Sequence, residues 1–244
     1  MRRYLYCIVD DDITMETLVF TGEREGISGS TVTVYLPDDE FTLLISDFVG
    51  TSVPVTRENV LKHAAVVGSL LTETTPLPFR FGTLATDEEL DNYLSARRDA
   101  LKAKLELVRG CVEMSVKIIW DREWTDEPSP SAELAKPGTA FLKEKRRELL
   151  GGEARAEEAM RIAGWLEERL RGVVRDKAFK TNSTSKLLVK AAHLVERGSI
   201  DEYRTRLKNA RLERPELHFL ASGPWPPYSF ANIDLEFKTQ FGVS

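Results

Sequence analysis

Three histidines, two cysteines and one arginine bound the chemistry open to this chain. His63, His193 and His218 fall in separate stretches, and none belongs to a spaced metal motif. Cys7 and Cys111 sit inside apolar runs with no adjacent base to lower a thiol pKa, so they read as small core residues. Asp10, Asp11 and Asp12 bring three carboxylates together but lack the alternating spacing of a cation loop, and a turn is the default. Gly22, Gly26 and Gly29 match neither a Walker sequence nor the dinucleotide fingerprint. No nucleophile elbow or zincin pattern occurs. Acid pairs such as Glu157-Glu158 and Glu167-Glu168 lie among arginines, as on a solvated helix face. That leaves Arg80, whose guanidinium can grip a phosphate or carboxylate in two places. It can equally serve a helix C-terminus or a carboxylate within the fold. The sequence therefore implies no catalytic residue, no cofactor and no metal.

The bulk properties fit that reading. The chain has 244 residues, 42% hydrophobic and 30% charged, the balance of an ordinary globular protein. A net charge of −5 argues against a general affinity for nucleic acid or anionic membrane. Residues 1–60 carry eleven acids and four bases. No apolar run approaches the roughly 18 residues of a spanning helix, so membrane insertion is not expected. The aspartates at 10–12 interrupt any signal-peptide core, and a cytoplasmic location is expected.

The elements that must position these residues can be read in order. Tyr4 to Val9 is apolar on both alternating faces, as in a covered central strand. Gly22 to Ser30 reads as a loop. Thr31–Leu36 and Phe41–Ile45 alternate about a turn at Pro37–Glu40 and predict a hairpin. Thr56 can cap a helix whose stripe is Val60, Leu61, Ala64, Val67 and Leu71; His63 lies beside it, as a surface or boundary residue. Pro78 suits an edge strand, with Phe79 and Phe81 on one face, Arg80 on the other, and a turn at Gly82. Thr86 and Glu89 form a capping box before a long helix lined by Leu90, Leu94, Leu101, Leu105 and Val108, ended by Gly110.

Met114, Val116, Ile118 and Trp120 alternate as a strand, and Glu127–Pro137 reads as a linker. Leu142, Leu149, Ala156, Ala163 and Leu170 recur every seven residues, with Ala159, Leu166 and Val173 between them, as in a long amphipathic helix weakened at Gly151-Gly152. Val173–Thr181 and Lys186–Val195 read as strands about a polar turn. A second capping box, Ser199 with Glu202, precedes a helix, and Leu217–Ala221 is the last strand. The order after Gly110 is that of a ferredoxin-like domain. The first half follows it with its first helix replaced by the loop around Gly22. The expected fold class is thus α+β: two ferredoxin-like (modified βαββαβ) domains, residues 1–110 and 111–244, with long amphipathic helices.

Near the end of the sequence stands Gly223-Pro224-Trp225-Pro226-Pro227-Tyr228-Ser229-Phe230. Three prolines fix φ and remove three donors, which predicts a stiff extended arm, neither helix nor central strand, presenting Trp225, Tyr228 and Phe230. Such an arm closes a core with its rings or docks a partner, since interfaces favour Trp and Tyr.

With Leu77-Pro78-Phe79-Arg80-Phe81-Gly82-Thr83 and the opening Tyr4-Leu5-Tyr6-Cys7-Ile8-Val9, this ending resembles the gas vesicle protein F/L (GvpF/GvpL) family. Three motifs match in order across nearly the whole chain; Cys7 departs from the Gly the family often has there. The resemblance implies two α+β domains and a non-enzymatic part in gas vesicle assembly. It implies a GvpA-like shell protein as partner, with other vesicle accessory proteins as further candidates, and a vesicle location. The residues it singles out are Pro78, Phe79, Arg80, Phe81, Gly82, Thr83, Gly223, Pro224, Trp225, Pro226, Pro227, Tyr228 and Phe230. A small enzyme or anion-binding module anchored by Arg80 is the alternative.

Overall fold

The computed structural model describes residues 1–9, 25–37, 40–120, 156–181 and 187–233. The expected turn at Asp10–Asp12, the linker at Glu127–Pro137, Leu142, Leu149, Gly151-Gly152 and the turn at 182–185 lie outside them. The chain divides into two compact units, Met1–Glu113 with Pro224–Ser244, and Met114–Gly223. The sequence reading had assigned the whole of 111–244 to one domain.

The first unit is built on β1 (Arg2–Val9), whose residues Tyr4 to Val9 are all fully buried. β1 pairs antiparallel with β3 (Thr42–Phe48), which forms the expected hairpin with β2 (Val32–Tyr35). Two short strands, β4 (Leu77–Pro78) and β5 (Leu84–Ala85), also pair with β1, giving the order β2-β3-β1-β4. The β1–β3 register slips between Leu5 and Cys7. A bulge of this kind resets the alternation of side chains. As a result Tyr4 and Tyr6 share one core cluster with Cys7 and Val9, where strict alternation would have split them.

α1 (Arg57–Ser69) begins at Thr56, whose hydroxyl accepts from the Asn59 amide as expected of a cap. Its buried face is a correction to the sequence reading. His63, Val66 and Val67 are buried, with Leu70 just beyond, while Val60 and Leu61 are exposed. The helix has apolar residues at helical spacing on two faces, and packing on the sheet selects the one containing His63. α2 (Asp87–Val108) has the expected reciprocal capping box of Thr86 and Glu89, and Leu90, Leu94, Leu101, Leu105 and Val108 are buried. Gly110, at φ +67°, turns the chain out of it.

The second unit contains, in chain order, β6 (Cys111–Trp120) from Met114 on, α3 (156–170), β7 (Asp176–Thr181), β8 (Leu187–Glu196), α4 (Ile200–Glu213) and β9 (Leu217–Trp225) as far as Gly223. The sheet order is β7-β8-β6-β9, with β7 and β8 antiparallel. Ala159, Ala163, Leu166 and Leu170 of α3 are buried, as is Val173, and so are Tyr203, Leu207 and Ala210 of α4. The second capping box does not form. Ser199 ends a 3-10 turn with φ −102° and ψ 3°, not the extended backbone from which a cap hydroxyl reaches back, and its side chain caps nothing.

The chain's last stretch also differs from expectation. β9 runs on through Pro224 to Trp225, and Tyr228–Ala231 closes into a single helical turn, α5. Proline is tolerated at a helix start because the first amides have no helical partner. Here the Pro227 carbonyl accepts from Phe230 N and Ala231 N at 3.0 and 2.9 Å.

Candidate interaction site

The three sequence motifs meet in the first unit. Cys7 pairs with Pro78 and Ile8 with Leu77. Phe79 N donates to the Tyr6 carbonyl at 2.9 Å, and Leu5 N to the Thr83 carbonyl at 3.1 Å. Between these ties the chain makes a tight turn. Thr83 donates through its amide, at 3.2 Å, and its hydroxyl, at 2.6 Å, to the Arg80 carbonyl. Gly82 sits at φ +88°, a conformation that disfavours any side chain. Its amide donates to the Tyr4 hydroxyl at 3.2 Å. The motif thus acts first as a clasp on β1. Phe79 is fully buried, Phe81 packs partly buried against the β1 cluster, and Arg80 is exposed.

The closing motif is anchored in the same unit. Glu113 is a buried carboxylate that accepts from Ser229 N at 2.7 Å and Ser229 Oγ at 2.8 Å. Lys104 Nζ reaches the Phe230 carbonyl at 3.5 Å. Pro226, Pro227, Phe230 and Ala231 are buried, whereas Trp225 is 50% and Tyr228 38% exposed. The extended-arm expectation therefore resolves into an anchor, an outward Trp225 ring and a partly exposed Tyr228 ring that packs towards His63.

His63 links the motifs. Its Nδ1 shares a 2.8 Å hydrogen bond with the Tyr4 hydroxyl. Its ring stacks on Tyr6 at 5.7 Å, meets Phe81 edge-on at 6.0 Å, and lies 6.2 Å from Tyr228. Burial lowers its pKa to about 4, and its Nε2 is buried with no hydrogen-bond partner among the described residues. Burial also raises the Tyr4 and Tyr228 hydroxyls above their ordinary range. At neutral pH the cluster is uncharged, a packed aromatic joint and not an acid–base pair. The surface or boundary position expected for His63 is corrected: it is buried, because α1 turns that face to the sheet. Sequence reasoning missed Glu113 and Ser229 as well. The one signal for Glu113 was a carboxylate inside an otherwise apolar strand.

Cys7 and Cys111 are buried free thiols, as expected, and burial pushes the Cys7 pKa well up. His218 is exposed. Among the described residues no group of three His, Cys, Asp or Glu side chains is placed to hold a metal. The second unit has a cavity of about 300 Å³ lined by Glu167, Arg171, Arg175, Lys177 and His193 among others. Lys177 pairs with Glu167, Arg171 with Glu168, and Arg175 with Glu196, so its cations are neutralised in place. Arg80 does not line it.

The molecule is thus a mixed helix–sheet protein with antiparallel sheets, whose recurrent sequence motifs build a joint and an anchored, ring-bearing turn. The chain belongs to the gas vesicle synthesis protein GvpL/GvpF family, whose model matches residues 2–232. It is 26% identical to gas vesicle protein L2 of Halobacterium salinarum, over 94% of this chain and 91% of that protein. It is 23% identical to gas vesicle protein F1 of the same organism, over 98% and 97%. Crystal structures of GvpF from Anabaena sp. PCC7120 and from Microcystis aeruginosa share the fold. Each has a TM-score of 0.74, at 20% and 19% identity; they cover 96% and 94% of this chain, and it covers 97% and 98% of theirs. Membership supports an accessory role in the gas vesicle. No helix among the described residues is long and apolar enough to cross a membrane.

Proposed function

We propose that this protein is a non-enzymatic assembly factor that binds the small hydrophobic shell protein of the gas vesicle. We read both units as variants of the ferredoxin-like fold, the strand order 2-3-1-4 recurring in each sheet. A shell subunit exposes apolar surface before it polymerises, and such surface aggregates unless covered. The observation that carries the reading is the division of labour in the closing motif. Ser229 and Phe230 anchor it, while Trp225 and Tyr228 stay at the surface on backbone already restricted by proline. Little conformational entropy is lost when such a segment docks.

The test is capture of purified shell protein by the full chain and by Trp225→Ala. The variant should keep its circular dichroism and melting temperature, because Trp225 is half exposed, yet lose capture and fail to support vesicle formation in cells. A folded variant that captures shell protein normally removes Trp225 from the interface. A wild-type chain that captures none overturns the function.

A further inference from the structure

His63 is bonded through one ring nitrogen only. Nδ1 holds the Tyr4 hydroxyl, while Nε2 is buried and has no hydrogen-bond partner among the described residues. The Tyr4 oxygen already accepts from the Gly82 amide, which leaves its own hydrogen free to donate to Nδ1. The imidazole hydrogen then sits on Nε2, a buried donor without an acceptor. Such groups are rare in folded proteins and mark places where strain or a working part is held.

A second proton makes the imbalance worse. It goes to Nδ1, so the Tyr4 hydroxyl must turn from donor to acceptor, and its hydrogen is orphaned in turn. No neighbouring charge offsets the imidazolium. Tyr6 on β1, Phe81 on the clasp and Tyr228 on α5 are neutral, and so is the buried Cys7 thiol. Lys62, beside His63 on α1, pairs with Glu25 and Glu58. Glu113 accepts from Ser229, and Arg80 is exposed. None of these charges moves the titration of His63.

An imidazolium here therefore needs water, and the covers over it are unequal. Tyr4, Tyr6 and Phe79 are fully buried. Phe81 is half-buried, but the clasp that carries it is held to β1 through the amides of Leu5, Phe79 and Gly82. Tyr228 is partly exposed and stands on α5, a single turn closed by two hydrogen bonds to one carbonyl. Short surface turns of this kind are among the first parts of a fold to open.

We propose that α5 is a lid on His63, and that a proton on His63 opens it and frees the Tyr228 ring. A closed joint refuses the proton until about pH 4, whereas an open one accepts it near the ordinary 6.5. Opening is therefore favoured as pH falls below 6.5, by about thirtyfold between pH 7.5 and pH 5. The device belongs to this chain alone and does not rest on the shell-protein reading, which the capture experiment tests separately.

Two measurements on the full chain test it. The first follows the His63 ring by NMR titration in the wild type, Tyr228→Ala and Tyr228→Phe, with circular dichroism to check folding. Removing the ring should raise the His63 midpoint by about one pH unit or more, while Tyr228→Phe, which keeps the ring, should leave it near the wild-type value. An unmoved midpoint in folded Tyr228→Ala overturns the lid. The second measures amide exchange at Phe230 and Ala231 at pH 7.5 and pH 5, corrected for the intrinsic rate at each pH. Protection there should be weaker than in β3 and should fall about thirtyfold in the wild type but not in His63→Gln. Protection equal to that of β3, or the same fall in His63→Gln, overturns the proposal. The wild-type comparison with β3 decides the matter should Tyr228→Ala fail to fold.

Discussion

Each unit ties a helix to its sheet with one buried histidine and one buried tyrosine, but with the residues exchanged. In the first unit Tyr4 is on the strand and His63 on the helix; in the second His193 is on the strand and Tyr203 on the helix. Both bonds join Nδ1 and the hydroxyl at 2.8 Å, with ring centroids 5.7 Å apart. Their surroundings differ. His63 is closed in by Tyr6, Phe81 and Tyr228. His193 borders the cavity, with Phe179 edge-on at 5.9 Å and Lys177 opposite it across the β7–β8 register. The same local device is thus sealed by the family motifs in one unit and left beside solvent in the other. A neutral histidine–tyrosine bond satisfies two polar groups without burying a charge, which suits it to joining sheet and helix.

Acid should test both ties at once and produce the largest effect. Burial lowers each histidine to about 4, with the charge of Lys177 a second cause at His193. The unfolded chain has ordinary histidines, near 6.5. Above about pH 6.5 neither state is protonated and the ties hold in full. As pH falls from there towards 4 the unfolded state takes up protons that the native state refuses, so stability is lost with falling pH. The shift corresponds to roughly 3 kcal/mol per histidine. Denaturant unfolding across this range should show the slope, and His63→Gln should remove about half of it. An unchanged slope in that variant would mean that His63 does not titrate as its burial requires.

Deleting one hydroxyl should separate the two ties. Tyr4→Phe orphans both the His63 nitrogen and the Gly82 amide, whereas Tyr203→Phe orphans the His193 nitrogen beside a cavity that admits water. A buried unsatisfied group costs about 1–3 kcal/mol, so Tyr4→Phe should be the more destabilising by about that amount. Equal losses in urea would show that sealing by the motifs adds nothing.

Part of this arrangement was legible in the sequence. The α2 stripe, its capping box and Gly110 could be read because one face is apolar and the signals are local. The pairing of Phe79 with Tyr6, the β1 bulge and the sheet order could not, being contacts between distant segments. α1 misled because it is apolar on two faces, and nothing within its thirteen residues says which one meets a sheet. The prolines were read as barring a central strand from Gly223 on, but β9, at the edge of its sheet, runs through Pro224 to Trp225. They were read wrongly as barring a helix, since Pro227 opens one. The motifs located the joint, but His63, Glu113 and Ser229, which complete it, carry no spacing signature.

The anchor has a smaller expected effect. Ser229→Ala removes one of two hydrogen bonds to the buried Glu113 carboxylate and keeps the other, from the amide. A hydrogen bond to a charged group contributes about 1.5–3 kcal/mol, and the amide should retain part of the anchoring, so a loss near the lower end is expected. Hydrogen exchange should rise at Phe230 and Ala231, whose amides close α5, and not in the second unit. Uniform loosening of both units would argue against a local anchor.

Arg80 should show the smallest change, although its sequence context made it the most conspicuous charge. A buried ion-paired arginine would cost about 3–5 kcal/mol to truncate. Arg80 is exposed, and the contact that shapes its turn uses its carbonyl, which accepts from Thr83 whatever the side chain. Exposed substitutions away from caps and cores usually fall within about 0.5 kcal/mol. Arg80→Ala should therefore cost no more than an exposed contact is worth, about 0.5 kcal/mol. Thr83→Val, which removes the hydroxyl bond to that carbonyl, should be the more destabilising of the two. The reverse order would mean that the Arg80 guanidinium, not the backbone turn, holds the clasp on β1.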